Sequence, residues 1–160
     1  MSLNKPCFSD GSRGSVVLVS STSGYVGGTS VVSYVASKHG VMGLLRASQK
    51  AAAENKVRIN AVAPFFTPTH ITSGFSDAWR KAGLLENTPG DVALAIAQTS
   101  MDPNMKGRCC LAAGNLTKEV EGPGEVLRTA WFGDDIVDQM VKGGEFFEAN
   151  GGYPLPPSRA

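Results

Sequence analysis

The sequence predicts an α/β fold built on a parallel sheet, from three observations. Gly14-Ser-Val-Val-Leu-Val-Ser-Ser21 is a continuous apolar run of strand length, rich in β-branched residues. Val57-Arg-Ile-Asn-Ala-Val-Ala-Pro64 is a second such run, ended by a proline. A long helical pattern lies between them. Strand, helix, strand is a βαβ unit, and its crossover is expected to be right-handed. An unbroken apolar run, rather than an alternating one, suits a strand buried on both faces of a parallel sheet.

The elements follow in order. Residues 1–13 are polar, with Gly, Ser and Pro, and predict a loop or disordered leader. Thr22-Ser-Gly24 and Gly27-Gly28 interrupt the first strand pattern and predict a loop. The helix is expected to start near Thr29 or Ser30, either a suitable N-cap. Apolar residues recur on it at Val31, Val35, Met42, Leu45 and Ala52, and it should reach about Asn55. Residues 65–88 contain a short helix at Asp77-Ala-Trp-Arg80. Thr88-Pro-Gly-Asp91 opens another helix, with proline in the first turn and an acid beside the helix N-terminus. That helix runs from Asp91 to Ser100, and Arg108-Cys-Cys-Leu-Ala-Ala113 forms a third strand. Cys109 and Cys110 should alternate faces as small apolar residues. An amphipathic stretch covers Asp134 to Lys142, and Gly151 to Ala160 reads as a loose tail.

Composition narrows the function classes. The chain has 160 residues, 42% hydrophobic and 18% charged, with 15 basic and 14 acidic side chains. That balance suits one folded body and gives no electrostatic case for nucleic acid. No apolar run reaches the ~20 residues of a membrane span. The opening residues do not read as a signal peptide. Cys7, Cys109 and Cys110 make no disulfide framework, which fits a reducing, cytoplasmic setting. His39 and His70 lack metal-ligand spacing and read as surface or packing residues, so no metal site is expected.

Tyr34-Val-Ala-Ser-Lys38 carries the chemistry. Residues four apart share one helix face, so an ammonium lies beside a phenol. Moving a tyrosine from ~10 to ~7 needs about 4 kcal/mol. One cation at ~4 Å supplies about 1 kcal/mol in water and ~4 at an effective dielectric of ~20. The pair therefore works as an acid or base only where water is partly excluded.

Four motifs in order resemble the short-chain dehydrogenase/reductases. Ser20-Ser-Thr-Ser-Gly24 is similar to the family's S-S-x-x-G, and Tyr34-Val-Ala-Ser-Lys38 to its Y-x-A-S-K. Arg58-Ile-Asn-Ala-Val-Ala-Pro64 resembles its R-x-N-x-v-x-P strand, and Lys106-Gly-Arg108 with the apolar run after it resembles its last strand. Residues 101–115 and the Trp131-Phe-Gly segment resemble a subgroup of hydroxyprostaglandin dehydrogenase-like and hydroxyaverantin dehydrogenase-like fungal enzymes, which implies secondary metabolism. The resemblance implies an oxidoreductase using NAD or NADP on an apolar or aromatic alcohol or ketone. Tyr34 would be the general acid/base and would also contact the cofactor. Lys38 would lower its pKa and bond the nicotinamide ribose. Ser21, selected over Ser20 by its thirteen-residue spacing to Tyr34, would bond the substrate oxygen. Pro64, Phe65, Thr67 and Thr69 lie where the family meets the nicotinamide, although Thr67 and Thr69 are equally ordinary loop residues. Phe65 departs from the family's glycine, and with Phe66 it could crowd the nicotinamide or wall an apolar pocket.

The resemblance also implies what to expect of the architecture. The fold would be a truncated Rossmann-like doubly wound sheet, with about three parallel strands, flanking helices and the amino-terminal cofactor-binding half missing. Residues 14–114 would form the dehydrogenase-like catalytic half, and residues 115–160 a carboxyl-terminal extension. Gly11-Ser-Arg-Gly14 follows no strand and cannot serve as a dinucleotide turn. The open sheet edge is expected to be covered by a second copy or a partner chain. Two other readings stand beside oxidoreduction. One is cofactor-free proton chemistry such as isomerisation, dehydration or cyclisation on the same Ser-Tyr-Lys site. The other is a non-catalytic remnant or interaction module.

Overall fold

The computed structural model describes residues 8–28 and 30–153. The expectations for Cys7, for Thr29 as a helix cap, and for the first seven and last seven residues lie outside these. The chain divides into two compact units, residues 1–121 and 122–160.

The first unit is a four-stranded sheet of order β1-β2-β3-β4, formed by β1 Gly14–Val19, β2 Val57–Pro64, β3 Cys109–Ala113 and β4 Leu116–Glu119. β1, β2 and β3 are parallel, in registers that place Val16 beside Ile59 and Val62 beside Cys110. β4 returns antiparallel along β3, with Ala113 opposite Leu116. The three expected parallel strands are present, and β4 is an addition the sequence reading lacked. Its Leu-Thr-Lys-Glu is too short and polar to announce a strand, and it forms because Gly114 takes a positive φ of 61° and turns the chain back.

Helices cover both faces. α1 Val32–Ala47 and α2 Gln49–Glu54 lie on one side of β2, and α4 Pro89–Met101 on the other; α3 Ser73–Lys81 follows β2. One core layer holds Met42, Leu45, Ala61, Ala63 and Cys109. The opposite layer holds Val62, Ala95 and Ala112, with Cys110 packed against it. The two cysteines thus alternate faces as their strand position requires, and burial pushes the Cys109 thiol up to about 12. The fold is α/β and Rossmann-like.

Three expectations need correction. The helix expected to run to Asn55 divides at Ser48, whose N–H and hydroxyl both bond the Leu44 carbonyl, at 3.0 and 2.7 Å, a back-bond of the kind that bends a helix. Ser30 does not cap α1. Val31 takes the N-cap position without a side-chain hydrogen bond, and two β-branched residues there delay regular winding. β1 is not buried on both faces. It has β2 as its one sheet neighbour, and Val16 and Val19 stay 43% and 48% exposed. The start of α4 is as expected: Thr88 and Asp91 form a reciprocal capping box with Pro89 in the first turn.

Buried polar side chains join β2 to the α4–β3 connection. Arg58 donates to the Asp102 and Ser100 carbonyls at 2.9 and 2.8 Å and pairs with Asp10 at 3.1 Å. Asn60 donates to the Met105 carbonyl at 2.8 Å and accepts the Arg108 N–H at 3.0 Å. The Arg and Asn of the R-x-N pattern thus set the course of that connection.

The turn after β1 is held from two sides. Gly24 sits where an added Cβ would lie 2.5 Å from Ser20 Oγ and 2.8 Å from the Lys38 carbonyl. Only glycine lets this turn approach α1 so closely. The Tyr25 hydroxyl donates to Glu121 at 2.7 Å, and Arg46 of α1 donates to both oxygens of the same carboxylate. Burial works to raise the Glu121 carboxyl, but the Arg46 and Tyr25 hydrogen bonds outweigh it and hold it below its ordinary value.

The second unit contains α6 Arg128–Phe132 and α7 Asp134–Ala149, preceded by the short α5 Glu121–Val126 that begins at the unit boundary. α7 contains the amphipathic stretch Asp134–Lys142 and continues beyond it. Asp134 and Asp135 complement its N-terminus, and Lys142 pairs with Asp138 at 2.6 Å. Among the described residues, no helix is long and apolar enough to cross a membrane.

Gly24→Ala should destabilise the chain by about 1–3 kcal/mol, since the clash is with backbone as well as a side chain; an unchanged melting temperature would refute the close approach. Glu121→Gln should cost about 1–2 kcal/mol near neutral pH, at the low end because solvent screens Arg46. A carboxylate held below its ordinary value stabilises fully above the unfolded value of ~4.3 and loses that contribution as pH falls through the folded value. The melting points of wild type and Glu121→Gln should therefore begin to converge as pH falls below about 4 and meet only below the folded value. A gap that stays constant well below about pH 4 would exclude the ion pair as the cause.

Candidate active site

The residues singled out in the sequence gather at the carboxyl ends of β1 and β2, the end at which parallel sheets bind ligands. Ser20 and Ser21 follow β1 directly and are both buried. Ser20 Oγ donates to the Lys38 carbonyl at 3.2 Å, so this serine anchors α1. Ser21 Oγ donates to the Pro64 carbonyl at 3.4 Å and accepts the Ser23 N–H at 3.1 Å as the cap of the 3-10 turn Thr22–Gly24. Ser21 thereby links the end of β1 to the end of β2.

Tyr34 and Lys38 lie one turn apart on α1. Lys38 Nζ donates to the Val19 carbonyl at 2.9 Å and sits 5.5 Å from the centroid of the Tyr34 ring. The ammonium is thus fixed between β1 and the phenol, in cation–π range. An ammonium donates more than one hydrogen bond, so Lys38 keeps donors for a ligand. Tyr34 is 45% exposed, and its hydroxyl makes no hydrogen bond among the described residues.

The segment after β2 is tied back to β3. The Phe65 N–H donates to the Ala112 carbonyl at 2.8 Å, while its ring is partly exposed and meets Trp79 edge-on at 5.6 Å. Phe66 packs 4.3 Å from Trp79 and 5.3 Å from Phe75, measured between ring centroids. Thr67 Oγ1 donates to the Phe65 carbonyl at 3.1 Å. Thr69 stands apart from this group. Its backbone N–H donates to Thr72 Oγ1 at 2.8 Å at the start of the 3-10 turn His70–Thr72.

Two features escaped the sequence reading. Glu121 closes a network on Tyr25 and Arg46 from far along the chain, and no local pattern links those positions. Asn87, 1% exposed, reaches Phe65, Thr67, Ala112 and Gly114. A signal for it existed. Asn87-Thr88 offers two capping residues in a row where α4 needs one. Two surface grooves of about 490 and 460 Å³ lie elsewhere, the first lined by Asp10, Gln49, Lys56 and Arg58, the second by Thr99, Cys110 and Lys118. Neither includes a residue of the predicted site. Among the described residues, no group of three or more His, Cys, Asp or Glu could hold a metal ion.

The sequence profile of the short chain dehydrogenase family matches residues 2–79. The 3-oxoacyl-[acyl-carrier-protein] reductase of Bos taurus is 35% identical over 108 residues, which are 65% of this chain and 45% of that protein. The solved structure of 3-hydroxyacyl-CoA dehydrogenase type-2 from Mycobacterium avium superposes with a TM-score of 0.60 at 29% identity, over 66% of this chain and 44% of that one. A structure from Agrobacterium tumefaciens with bound NADP, named for 2-deoxy-D-gluconate 3-dehydrogenase, gives 0.56 at 29% identity, over 64% and 45%. The chain thus spans less than half the length of these relatives. The stretch they match, with its parallel sheet and flanking helices, is thus similar to the short-chain dehydrogenases in sequence and fold.

Proposed function

We propose that this chain provides the proton-transfer side of an NAD(P)-dependent oxidoreductase acting on an apolar or aromatic alcohol or ketone. The carrying observation is the fixed Lys38 ammonium, bonded to the end of β1 and held over the Tyr34 ring. Tyr34 gives or takes the proton of the substrate oxygen. Lys38 stabilises the phenolate form, and the Ser21 hydroxyl turns from its long 3.4 Å bond to the Pro64 carbonyl to donate to the same oxygen as charge develops on it. The aromatic group of Phe65, Phe66, Phe75 and Trp79 beyond β2 supports an apolar or aromatic substrate.

The residues present fit the nicotinamide-ribose end of a dinucleotide. Lys38 keeps donors for ribose hydroxyls, and Thr67 lies on the turn that follows Pro64. When bound, the nicotinamide supplies the hydride chemistry. The phosphates require a glycine-rich turn after a strand, which Gly11-Ser-Arg-Gly14 does not provide. We therefore assign the dinucleotide-binding segment to a longer product or a companion chain. A second reading, cofactor-free isomerisation or dehydration, is favoured by one fact: Ser21, Tyr34 and Lys38 all lie in this chain.

The same logic supports self-association. Among the described residues no strand pairs the outer edge of β1, and Val16, Val19, Val32 and Leu44 are 43%, 48%, 78% and 54% exposed. Such apolar surface beside a strand edge favours a covering partner.

Three measurements test these points. Fluorescence titration with NADH and NADPH should detect binding by the species that carries oxidoreductase activity; absence of binding with retained turnover would select the cofactor-free reading. Tyr34→Phe should lower turnover of an aromatic alcohol by ~100-fold or more while leaving cofactor affinity little changed. Unchanged turnover would remove the acid/base role. Size-exclusion chromatography with light scattering should give a mass above the 16.7 kDa of one chain; a stable monomer would refute self-association.

A further inference from the structure

An amide as buried as Asn87 needs a partner for each polar atom. Its backbone N–H donates to the Phe66 carbonyl at 2.8 Å. Its Oδ1 accepts the N–H of Gly114. A backbone N–H can only donate, so this contact fixes the amide's orientation and makes the other branch the NH2 group. Nδ2 then faces three acceptors: the Ala112 carbonyl at 3.0 Å, Thr67 Oγ1 at 3.1 Å and the Phe65 carbonyl at 3.3 Å. Ala112 and Gly114 belong to the end of β3, whereas Phe65 and Thr67 belong to the turn after β2. One side chain fastens that turn to the neighbouring strand. Capping of α4 makes no use of it, because Thr88 fills that position.

The effect on Thr67 is specific. Its hydroxyl proton is directed to the Phe65 carbonyl at 3.1 Å, since a carbonyl can only accept. One lone pair of the same oxygen faces Asn87 Nδ2. The hydroxyl is left with a single free lone pair. It can receive an N–H from a ligand, and it has no proton to offer a ligand carbonyl.

We propose that Asn87 is a positioning residue, which locks the turn after β2 and sets the Thr67 hydroxyl as an acceptor for an N–H-bearing ligand group. Its effect on cofactor binding rests on the oxidoreductase reading above; its hold on the turn does not. Asn87→Asp keeps the acceptor for Gly114 and removes both donors. Thr67→Val removes the hydroxyl at similar size.

Residue-resolved amide hydrogen exchange on the full chain tests the hold directly. Asn87→Asp should speed exchange at Phe65 and its neighbours in the turn by ~10-fold, the equivalent of one lost hydrogen bond, and leave the middle of α4 unchanged. Exchange that rises evenly across the sheet, or not at all in the turn, would overturn the proposal. If Asn87→Asp does not fold, Asn87→Ala, which removes the same donors without a buried charge, decides the matter: a turn that stays fully protected in it overturns the role. NADH affinity adds a second arm. Each variant should weaken it by ~10-fold, and the double variant should be no weaker than either single one, because both remove the same set hydroxyl. Additive losses would show that Asn87 does not act through Thr67. A wild-type protein that binds neither NADH nor NADPH defeats the oxidoreductase reading, and the exchange result alone then decides whether Asn87 locks the turn.

Discussion

The structure depends on a guanidinium placed where few proteins tolerate one. Arg58 lies at the amino end of β2 and is 2% exposed. A charge so far from water is costly unless paired and hydrogen-bonded. Arg58 meets this condition by bonding the last carbonyls of α4 and the carboxylate of Asp10. Those carbonyls are orphans of the helix end and need donors themselves. One side chain therefore solves two problems, and it does so only if α4 ends where it does. Asn60, two residues on, repeats the device one step further along the connection. Together they dictate where β3 begins and hence its register against β2.

That register places the site. β2 ends at Pro64, opposite Ala112 of β3 and within hydrogen-bond reach of Ser21. The serine, the lysine on α1 and the turn beyond Pro64 are brought together by the sheet, since no sequence neighbourhood connects them. The turn between β1 and α1 transmits the same order to the helix. Gly24 permits the approach, Ser20 bonds the Lys38 carbonyl, and Tyr25 reaches the Glu121–Arg46 pair. Lys38 is thereby held at both its backbone and its ammonium.

Much of this was legible in the sequence because the governing signals are local. Two unbroken apolar runs about a helical pattern announce βαβ, and Thr88-Pro-Gly-Asp91 announces a helix start. Adjacent cysteines in a strand must face opposite ways, and they do. The pairing of Tyr34 with Lys38 follows from helix geometry alone. What was not legible depends on distant partners. β4 is strand only because β3 offers it an edge. Glu121 joins Tyr25 across 96 residues. β1 reads as doubly buried because its composition is that of an interior strand, whereas this chain leaves one edge and two valines open.

The discrepancy at β1 and the exposure of Tyr34 have one physical cause. Both lie on the side of the sheet where, among the described residues, no further strand pairs. Lys38 bonds the last carbonyl of β1, so the phenol it serves sits next to that unpaired edge. Backbone groups along an open edge remain solvated, and the water that solvates them also reaches the phenol. In that setting a cation changes the phenol's energetics by about 1 kcal/mol; behind a covering surface the same cation is worth several-fold more. One surface that covers both β1 and α1 would pair the edge and exclude water from Tyr34 together. On the proposed acid/base role of Tyr34, a surface that covers both β1 and α1 would couple stability to proton transfer, whereas one that pairs the edge without overlying α1 would stabilise the sheet alone.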